Sequence, residues 1–280
     1  MKLLFAKTIT CFVLLASAAC WNAGATVVLQ NGFCSVAIDP ASLRVSIQEI
    51  GQRAVPVSIA QTNLGPIAGL ATSITNASWS FSDKKISVRL ALDDNGLLAH
   101  IQADETGDFT FPIIPETDST KAWILPLFEG VYAPCGDPHW AAFLTRYGPM
   151  NTTADLTMPF AGLDCGDFTL TYIFTNPFNN QLEFQSSPGR TLQARFTHEF
   201  TRNHAVKEYG VAVQLGKSSP VAPAALYRKW LLQRGEFVSF KEKIQRTPDA
   251  ARLLGAAHIY LWGGELLCHM SRIGNNSARN

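Results

Sequence analysis

The chain has 280 residues, 47% of them hydrophobic, which is enough for one large domain or for one domain and part of another. Its 23 basic and 22 acidic residues give a formal net charge of +1. Because the charges balance and no run of like charges occurs, nothing in the composition favours nucleic acid, an anionic membrane or a strongly charged substrate as the partner.

The first 25 residues have the pattern of an export signal rather than of a folded domain. Lys2 and Lys7 are their only charged residues, and residues 9–19 form an apolar run. Small residues follow this run. Ala23-Gly24-Ala25 matches the small-x-small cleavage rule, with Ala16-Ser17-Ala18 as the alternative. We therefore expect export, to the periplasm or beyond if the source is a bacterium.

Cys20 raises a second possibility for the same segment, a lipoprotein. Ser17 stands three residues before Cys20, where a lipidated leader usually has a bulky aliphatic residue. Lipidation is therefore the minor alternative. The apolar run is also short for a membrane span, and no other segment of the sequence is long and apolar enough to cross a bilayer.

Export makes disulfides possible, and four cysteines remain after cleavage: Cys34, Cys135, Cys165 and Cys268. Four cysteines allow three pairings, and spacing does not choose among them. Both Cys135 and Cys165 lie in segments rich in Gly and Asp, so we weakly favour that pair.

A metal site is the alternative for the same cysteines. Cys135 and His139 have ligand-like spacing, and Cys165 and Asp167 offer further ligand types. A zinc site would need a compact second pair of ligands, which the sequence does not show. We predict no metal and no cofactor.

Between residues 26 and about 216, hydrophobic and polar residues alternate with a period of two. Such alternation predicts strands with one face on a core and the other in water. The sequence Asp94-Asn95-Gly96, between two alternating runs, predicts a hairpin. No long helix is predicted before residue 220. The fold class is therefore mainly β, a large antiparallel β-sandwich of two sheets. The alternating runs are residues 43–47, 55–59, 86–92, 170–174 and 192–196.

Residues 125–166 interrupt the alternation and are rich in Pro, Gly, Asp and aromatic residues. We interpret them as a long ordered loop, the place where function tends to lie on a sandwich. Glu129, Asp137 and His139 form a dense polar cluster there and are candidate substrate-binding residues. The alternative is a loop held by its own turns, with Asp137-Pro138 as an ordinary turn opening.

After residue 218 the pattern becomes helical. Leu226, Trp230 and Leu231 recur at helical spacing up to Gly235. Ser239 with Glu242 predicts a capping box for a short helix. A third helix, capped by Thr247 or Asp249, is expected to end at Gly255.

A short apolar run, residues 256–262, then leads to Gly263-Gly264. An uninterrupted apolar run is typical of a strand buried on both faces, as in a parallel sheet. Helices followed by such a strand are how a parallel α/β barrel begins. His258 within the run is interpreted as a core histidine. The tail, residues 265–280, shows neither a helical repeat nor a second strand.

Two parts of the chain resemble bacterial α-N-acetylgalactosaminidases of glycoside hydrolase families 101 and 129. The first part resembles the entry to the family's barrel and consists of Tyr227-Arg228-Lys229-Trp230, Lys241-Glu242-Lys243 and residues 254–263. The second part resembles a loop of the sandwich that precedes the barrel and consists of residues 126–130 and Asp137-Pro138-His139-Trp140. About fifty residues match with any specificity, within a chain of 280.

The resemblance implies a galactose-mutarotase-like β-sandwich followed by a (β/α)8 barrel of which only the first strand is present. The family cuts with two carboxylates on later strands, so no residue here inherits a catalytic role. Trp262 and Glu265, at the end of the first strand, are candidate contacts for a sugar. Their alternatives are plain packing for Trp262 and a solvated loop carboxylate for Glu265.

The predicted organisation is a signal peptide at 1–25, a β-sandwich at 26–219, a helical linker with the first barrel strand at 220–264, and an irregular tail. We expect the amino-terminal portion of an exported glycoside hydrolase acting on α-linked N-acetylgalactosaminides or related glycans, inactive as this isolated chain. The alternative is a non-enzymatic exported β-sandwich that binds carbohydrate or a protein partner.

Overall fold

A computed structural model of the protein describes residues 26–186 and 191–256. Within these ranges the protein is mainly β, and its strands form three antiparallel sheets. The predicted leader, the predicted barrel strand after Ala256 and the irregular tail lie outside the described residues. So do the residues that the sequence singled out within them: Cys20, His258, Trp262, Glu265 and Cys268.

The first sheet has four strands in chain order: β1 Val27–Gln30, β2 Cys34–Asp39, β3 Arg44–Glu49 and β4 Val55–Ser58. The third sheet also has four: β9 Gly107–Pro115, β12 Met150–Asn151, β15 Asn180–Ser186 and β16 Leu192–Phe200, in the order β12-β15-β16-β9.

The second sheet is much wider and contains the remaining strands of the described residues. They are β5 Ile67–Thr72, β6 Asn76–Phe81, β7 Ile86–Asp93, β8 Gly96–Ala103, β10 Ala122–Leu125, β11 Val131–Pro134, β13 Phe160–Asp164, β14 Phe168–Phe174 and β17 Lys207–Lys217. Their order is β11-β10-β13-β14-β17-β8-β7-β6-β5. The helices are α1 Pro138–Tyr147, α2 Ala222–Gln233 and α3 Phe240–Arg246, with 3₁₀ segments at Ser82–Lys84 and Pro248–Leu253.

The two four-stranded sheets meet at their edges to form one layer. The Ile59 N–H donates to the carbonyl of Ile113 at 3.0 Å, and the Ile113 N–H donates to Ser58 Oγ at 3.1 Å. These bonds join β4 to β9. The combined layer faces the nine-stranded sheet, and a core of buried hydrophobic residues from all three sheets fills the space between them.

Two buried tyrosines tie the layers together. The Tyr172 hydroxyl on β14 donates to the carbonyl of Val57 at 3.0 Å. The Tyr209 hydroxyl on β17 donates to the carbonyl of Phe111 at 3.2 Å. Burial raises the pKa of both phenols well above the ordinary value, so both hydroxyls remain protonated donors. The predicted antiparallel β-sandwich is thus confirmed, although it has three sheets rather than two, because one of its layers consists of two sheets joined at β4 and β9.

The hairpin predicted at residues 94–96 is also confirmed. Asp93 pairs with Gly96, and Asp93 Oδ1 accepts the N–H groups of Asn95 and Gly96 at 2.7 and 3.0 Å. Gly96 has φ +143°, and a Cβ there would lie 2.2 Å from the carbonyl oxygen of Val213. Only glycine fits here, because of its backbone conformation and the close approach of β17, while the Asp93 carboxylate holds the turn.

The prediction that every strand has one face in water is wrong for β14. All seven of its residues are buried, as are all five of β13. Helix α2 begins on the outer face of these strands. Its Pro223 approaches so closely that a Cβ on Gly162 would lie 2.5 Å from Pro223 Cγ. Alternation alone could not show this, because threonines on the covered face look like solvent-facing residues.

Further contacts hold the first half of α2 on the same sheet. A Cβ on Gly216 would lie 2.9 Å from Leu226 Cδ1. The ring centroids of Tyr227 and Phe160 are 5.8 Å apart. The described residues up to Lys229 form one compact unit, and those from Trp230 onward form a second. The first unit thus extends ten residues beyond Ser219, the end expected from the sequence, because the start of α2 packs on the sandwich.

In the second unit the capping box is present as predicted. Ser239 Oγ accepts the N–H of Glu242 at 3.2 Å, and a Glu242 carboxylate oxygen accepts the N–H of Ser239 at 2.7 Å. These bonds lower the pKa of Glu242. The third predicted helix is a short 3₁₀ segment that begins after Thr247, and Gly255 follows it with φ +72°.

We predict that a protein comprising residues 26–229 melts at a higher temperature than one comprising residues 26–219. The shorter protein loses the packing of Pro223, Leu226 and Tyr227, which contributes roughly 3 kcal/mol. In a domain of this size that loss corresponds to roughly 6–12 °C. The measurement is a thermal melt followed by circular dichroism. Equal melting temperatures would show that the start of α2 does not belong to the sandwich.

Candidate functional site

A cavity of about 920 Å³ opens beside the β10–β11 end of the nine-stranded sheet. One wall is helix α1, and the opposite side is formed where β15 ends and β16 begins. We call it the α1 cavity. The side chains that matter for its chemistry are Glu116, Asp118, Trp123, Cys135, Asp137, Trp140 and Arg146.

Glu116 organises the wall of the α1 cavity. Its Oε1 accepts the indole N–H of Trp123 at 2.7 Å and the thiol of Cys135 at 3.1 Å, while its Oε2 accepts the N–H of Leu192 at 2.7 Å. These three donors come from β10, from the end of β11 and from β16. One carboxylate therefore links three strands of two different sheets.

Helix α1 corrects the interpretation of residues 125–166 as a long loop. Asp137 is its N-cap: Asp137 Oδ1 accepts the N–H of His139 at 2.8 Å, and Pro138 occupies the first turn. The hydrogen bond from the His139 N–H lowers the pKa of Asp137. Asp137-Pro138 therefore opens a helix and not an ordinary turn.

A periodic signal for this helix was present in the sequence. Trp140, Phe143 and Tyr147 recur at helical spacing, and neighbouring rings meet edge to face with centroids 5.7 Å apart. Leu144 is the residue of α1 that is fully buried. The run is short and lies among Pro and Gly residues, which is why it was interpreted as a loop.

The structure does not gather the three polar candidates into one cluster. Asp137 lines the α1 cavity. His139 lies next to it, with its Nδ1 3.3 Å from Asp137 Oδ1, but its side chain is 95% exposed. Glu129 is exposed in a separate turn, after Phe128 with φ +53°. Of the three, Asp137 alone contributes to the cavity wall.

The pairing of Cys135 with Cys165 is not formed, and both thiols are free. The strand register gives the reason. The Cys135 N–H donates to the carbonyl of Lys121, and the Lys121 N–H donates to the carbonyl of Asp164, next to Cys165. The two cysteines thus lie on opposite sides of the chain at Lys121, just before β10. Their Cα atoms are therefore about two strand spacings, roughly 9–10 Å, apart. A disulfide does not span this distance.

The free thiols of Cys135 and Cys165 have low reactivity. Burial, followed by the hydrogen bond to Glu116, raises the pKa of Cys135 far above the ordinary value, and burial raises the pKa of Cys165 to about 11. Both are therefore protonated at neutral pH and poor nucleophiles. Among the residues that the structure describes, no three His, Cys, Asp or Glu side chains are grouped as metal ligands.

Sequence reasoning missed most of the α1 cavity. Glu116, Trp123 and Arg146 stand in different elements, and nothing in their local patterns marks them as neighbours. Trp140 was noticed only through the family resemblance. The contacts that assemble the cavity are between strands distant in the sequence, which no short motif records.

The fold is similar to that of a solved glycosidase structure. The α-N-acetylgalactosaminidase NagBb from Bifidobacterium bifidum matches 80% of this chain with a TM-score of 0.63 and 14% sequence identity. Its complex with Gal-NHAc-DNJ matches 84% of this chain, also with a TM-score of 0.63. At this identity the likeness shows the fold alone, which is the sandwich expected from the resemblance. The chain spans 41% of the length of the ligand-free NagBb chain.

A galactose mutarotase-like protein from Lactobacillus casei matches 68% of this chain and all of its own length, with a TM-score of 0.43 and 11% identity. No protein-family model and no curated protein sequence matches the chain.

We predict that Glu116→Gln destabilises the sandwich by about 1–3 kcal/mol, because the amide nitrogen would face one of three donors that now meet a carboxylate oxygen. Glu129→Gln is the matched control, since Glu129 is exposed and should tolerate the change. The measurement is the free energy of unfolding in urea. If the two variants unfold alike, Glu116 does not hold the three strands together.

Proposed function

We propose that this chain is the β-sandwich portion of an exported glycoside hydrolase acting on α-linked N-acetylgalactosaminides or related glycans. The single observation that carries the proposal is the similarity of its fold to part of an α-N-acetylgalactosaminidase, at a TM-score of 0.63. The barrel-entry motifs in residues 227–230 and 241–243 support the same assignment independently of the fold.

In this proposal the sandwich extends into the first half of α2, and the region that follows, through residue 264, supplies the linker and the first strand of a (β/α)8 barrel. Glycoside hydrolysis needs one carboxyl group to protonate the leaving oxygen and a second to attack or to activate water. In barrels these groups lie at the ends of several strands. We therefore propose that this chain does not hydrolyse glycosides by itself.

The α1 cavity favours a second candidate, an exported β-sandwich that binds carbohydrate or a protein partner without cleaving it. The DNA that follows codon 280 distinguishes the two candidates. A barrel encoded there in any reading frame supports the glycoside hydrolase. An unrelated neighbouring gene supports the binding protein.

We predict no turnover of aryl α-N-acetylgalactosaminide by the purified chain, because two opposed catalytic carboxylates are not expected in it. Release of the aryl group is measured against a blank without protein. The variants Glu129→Gln and Asp137→Asn are the controls. Turnover above the blank that disappears in either variant would place the chemistry in the sandwich and contradict the proposal.

We also propose that the chain is exported and that its mature form begins at Thr26. The helices in the described part of the chain include none with the length and hydropathy to cross a bilayer. Amino-terminal sequencing of the protein purified from its source should give Thr26. Recovery of Met1, or of a lipid on Cys20, would show that the first segment has another role.

A further inference from the structure

The α1 cavity has the size and rigidity of a ligand site. Its volume of about 920 Å³ is within the range of roughly 300–1,000 Å³ that small-molecule sites have. Hydrogen bonds hold two parts of its wall in place, because Glu116 links three strands and Asp137 caps α1. A preformed site loses little conformational entropy on binding.

Two tryptophans give the cavity apolar surfaces. Trp140 on α1 is half-buried, and Phe143 packs against it edge to face. Trp123 is buried in the floor, its indole N–H already bonded to Glu116 and its ring held edge to face by Phe184 at 4.8 Å. Because Trp140 lines the cavity and is partly exposed, its ring is available for packing against the C–H face of a sugar.

The polar groups of the cavity determine which ligands it accepts. Glu116, Asp118 and Asp137 are carboxylates, and Arg146 is the cationic side chain among the described residues that line it. Carboxylate oxygens accept hydrogen bonds from hydroxyl groups, which a sugar has in abundance. The excess of negative charge disfavours anionic ligands such as sialylated or sulfated glycans.

We propose that the α1 cavity binds a neutral glycan of one or two sugar units, with one ring on Trp140 and its hydroxyls donating to the carboxylates. This inference rests on the proposed function only in the choice of N-acetylgalactosamine as the first probe. The volume, the aromatic face and the charge of the cavity stand without it.

The test is isothermal titration calorimetry on the mature chain with N-acetylgalactosamine, lactose and chitobiose, and with N-acetylneuraminic acid as the anionic probe. We expect at least one neutral sugar to bind and the anionic sugar not to bind. Trp140→Ala should weaken binding about tenfold, equivalent to about 1.4 kcal/mol. Tyr147→Ala is the matched control, since Tyr147 is on the same helix, 37% exposed and outside the cavity lining.

A second variant keeps the test valid if Trp140→Ala does not fold. Thr145 is exposed on α1 and lines the cavity, so Thr145→Trp narrows the cavity without removing core packing. Melting curves identify which variants are folded. Thr145→Trp should weaken binding, and Tyr147→Ala should change the affinity by less than about twofold.

Four results would overturn the inference. They are that no neutral sugar binds, that the anionic sugar binds as well as the neutral ones, that a folded Trp140→Ala variant keeps its affinity, or that Thr145→Trp leaves the affinity unchanged. Failure of the proposed function is observed separately. If the DNA after codon 280 encodes no barrel but the sugar binds in a Trp140-dependent way, the glycoside hydrolase proposal fails and the glycan site stands. If a barrel is encoded but no sugar binds to this chain, the glycan site fails and the glycoside hydrolase proposal stands.

Discussion

Strands β13 and β14 are buried on both faces, so their outer face needs a covering element. The outer face of β14 carries Thr169 and Thr171, and Thr171 Oγ1 has no hydrogen-bond partner among the described residues. Removing hydroxyls from water has a cost that packing must offset. Helix α2 provides this packing, and it reaches the sheet closely because Gly162 and Gly216 have no side chains. The first part of the helix, up to Lys229, therefore belongs to the sandwich.

Glu116 has a comparable role next to β10, the strand that pairs with β13. Backbone pairing joins β10 to β11 and to β13, and β16 to β15 and β9, but no backbone ladder crosses between these two groups of strands. The carboxylate of Glu116 makes that connection, through Trp123 and Cys135 on one side and the N–H of Leu192 on the other. Together with the edge-to-face contact of Trp123 with Phe184 on β15, Glu116 thus joins the two sheets beside the α1 cavity.

Local sequence patterns predicted those features that depend on neighbours in the chain. The Asp94-Asn95-Gly96 hairpin and the Ser239–Glu242 capping box each need only a few consecutive residues, and both are present. Features that depend on distant contacts were not predicted. The register that separates Cys135 from Cys165 and the convergence of Glu116 with Trp123 follow from strand order, which alternation does not specify.

The carboxylates of the α1 cavity are better suited to binding a sugar than to cleaving one. A general acid needs a carboxyl group whose pKa is raised, so that it holds a proton to donate. Asp137 has the opposite property, since the N–H of His139 lowers its pKa and keeps it ionised. Glu116 is occupied by three donors that fix its position. Fixed carboxylates, at least one of them held ionised, are good acceptors for hydroxyl groups but poor proton donors. The sugar binding proposed for the sandwich is thus chemically distinct from the cleavage proposed for a barrel.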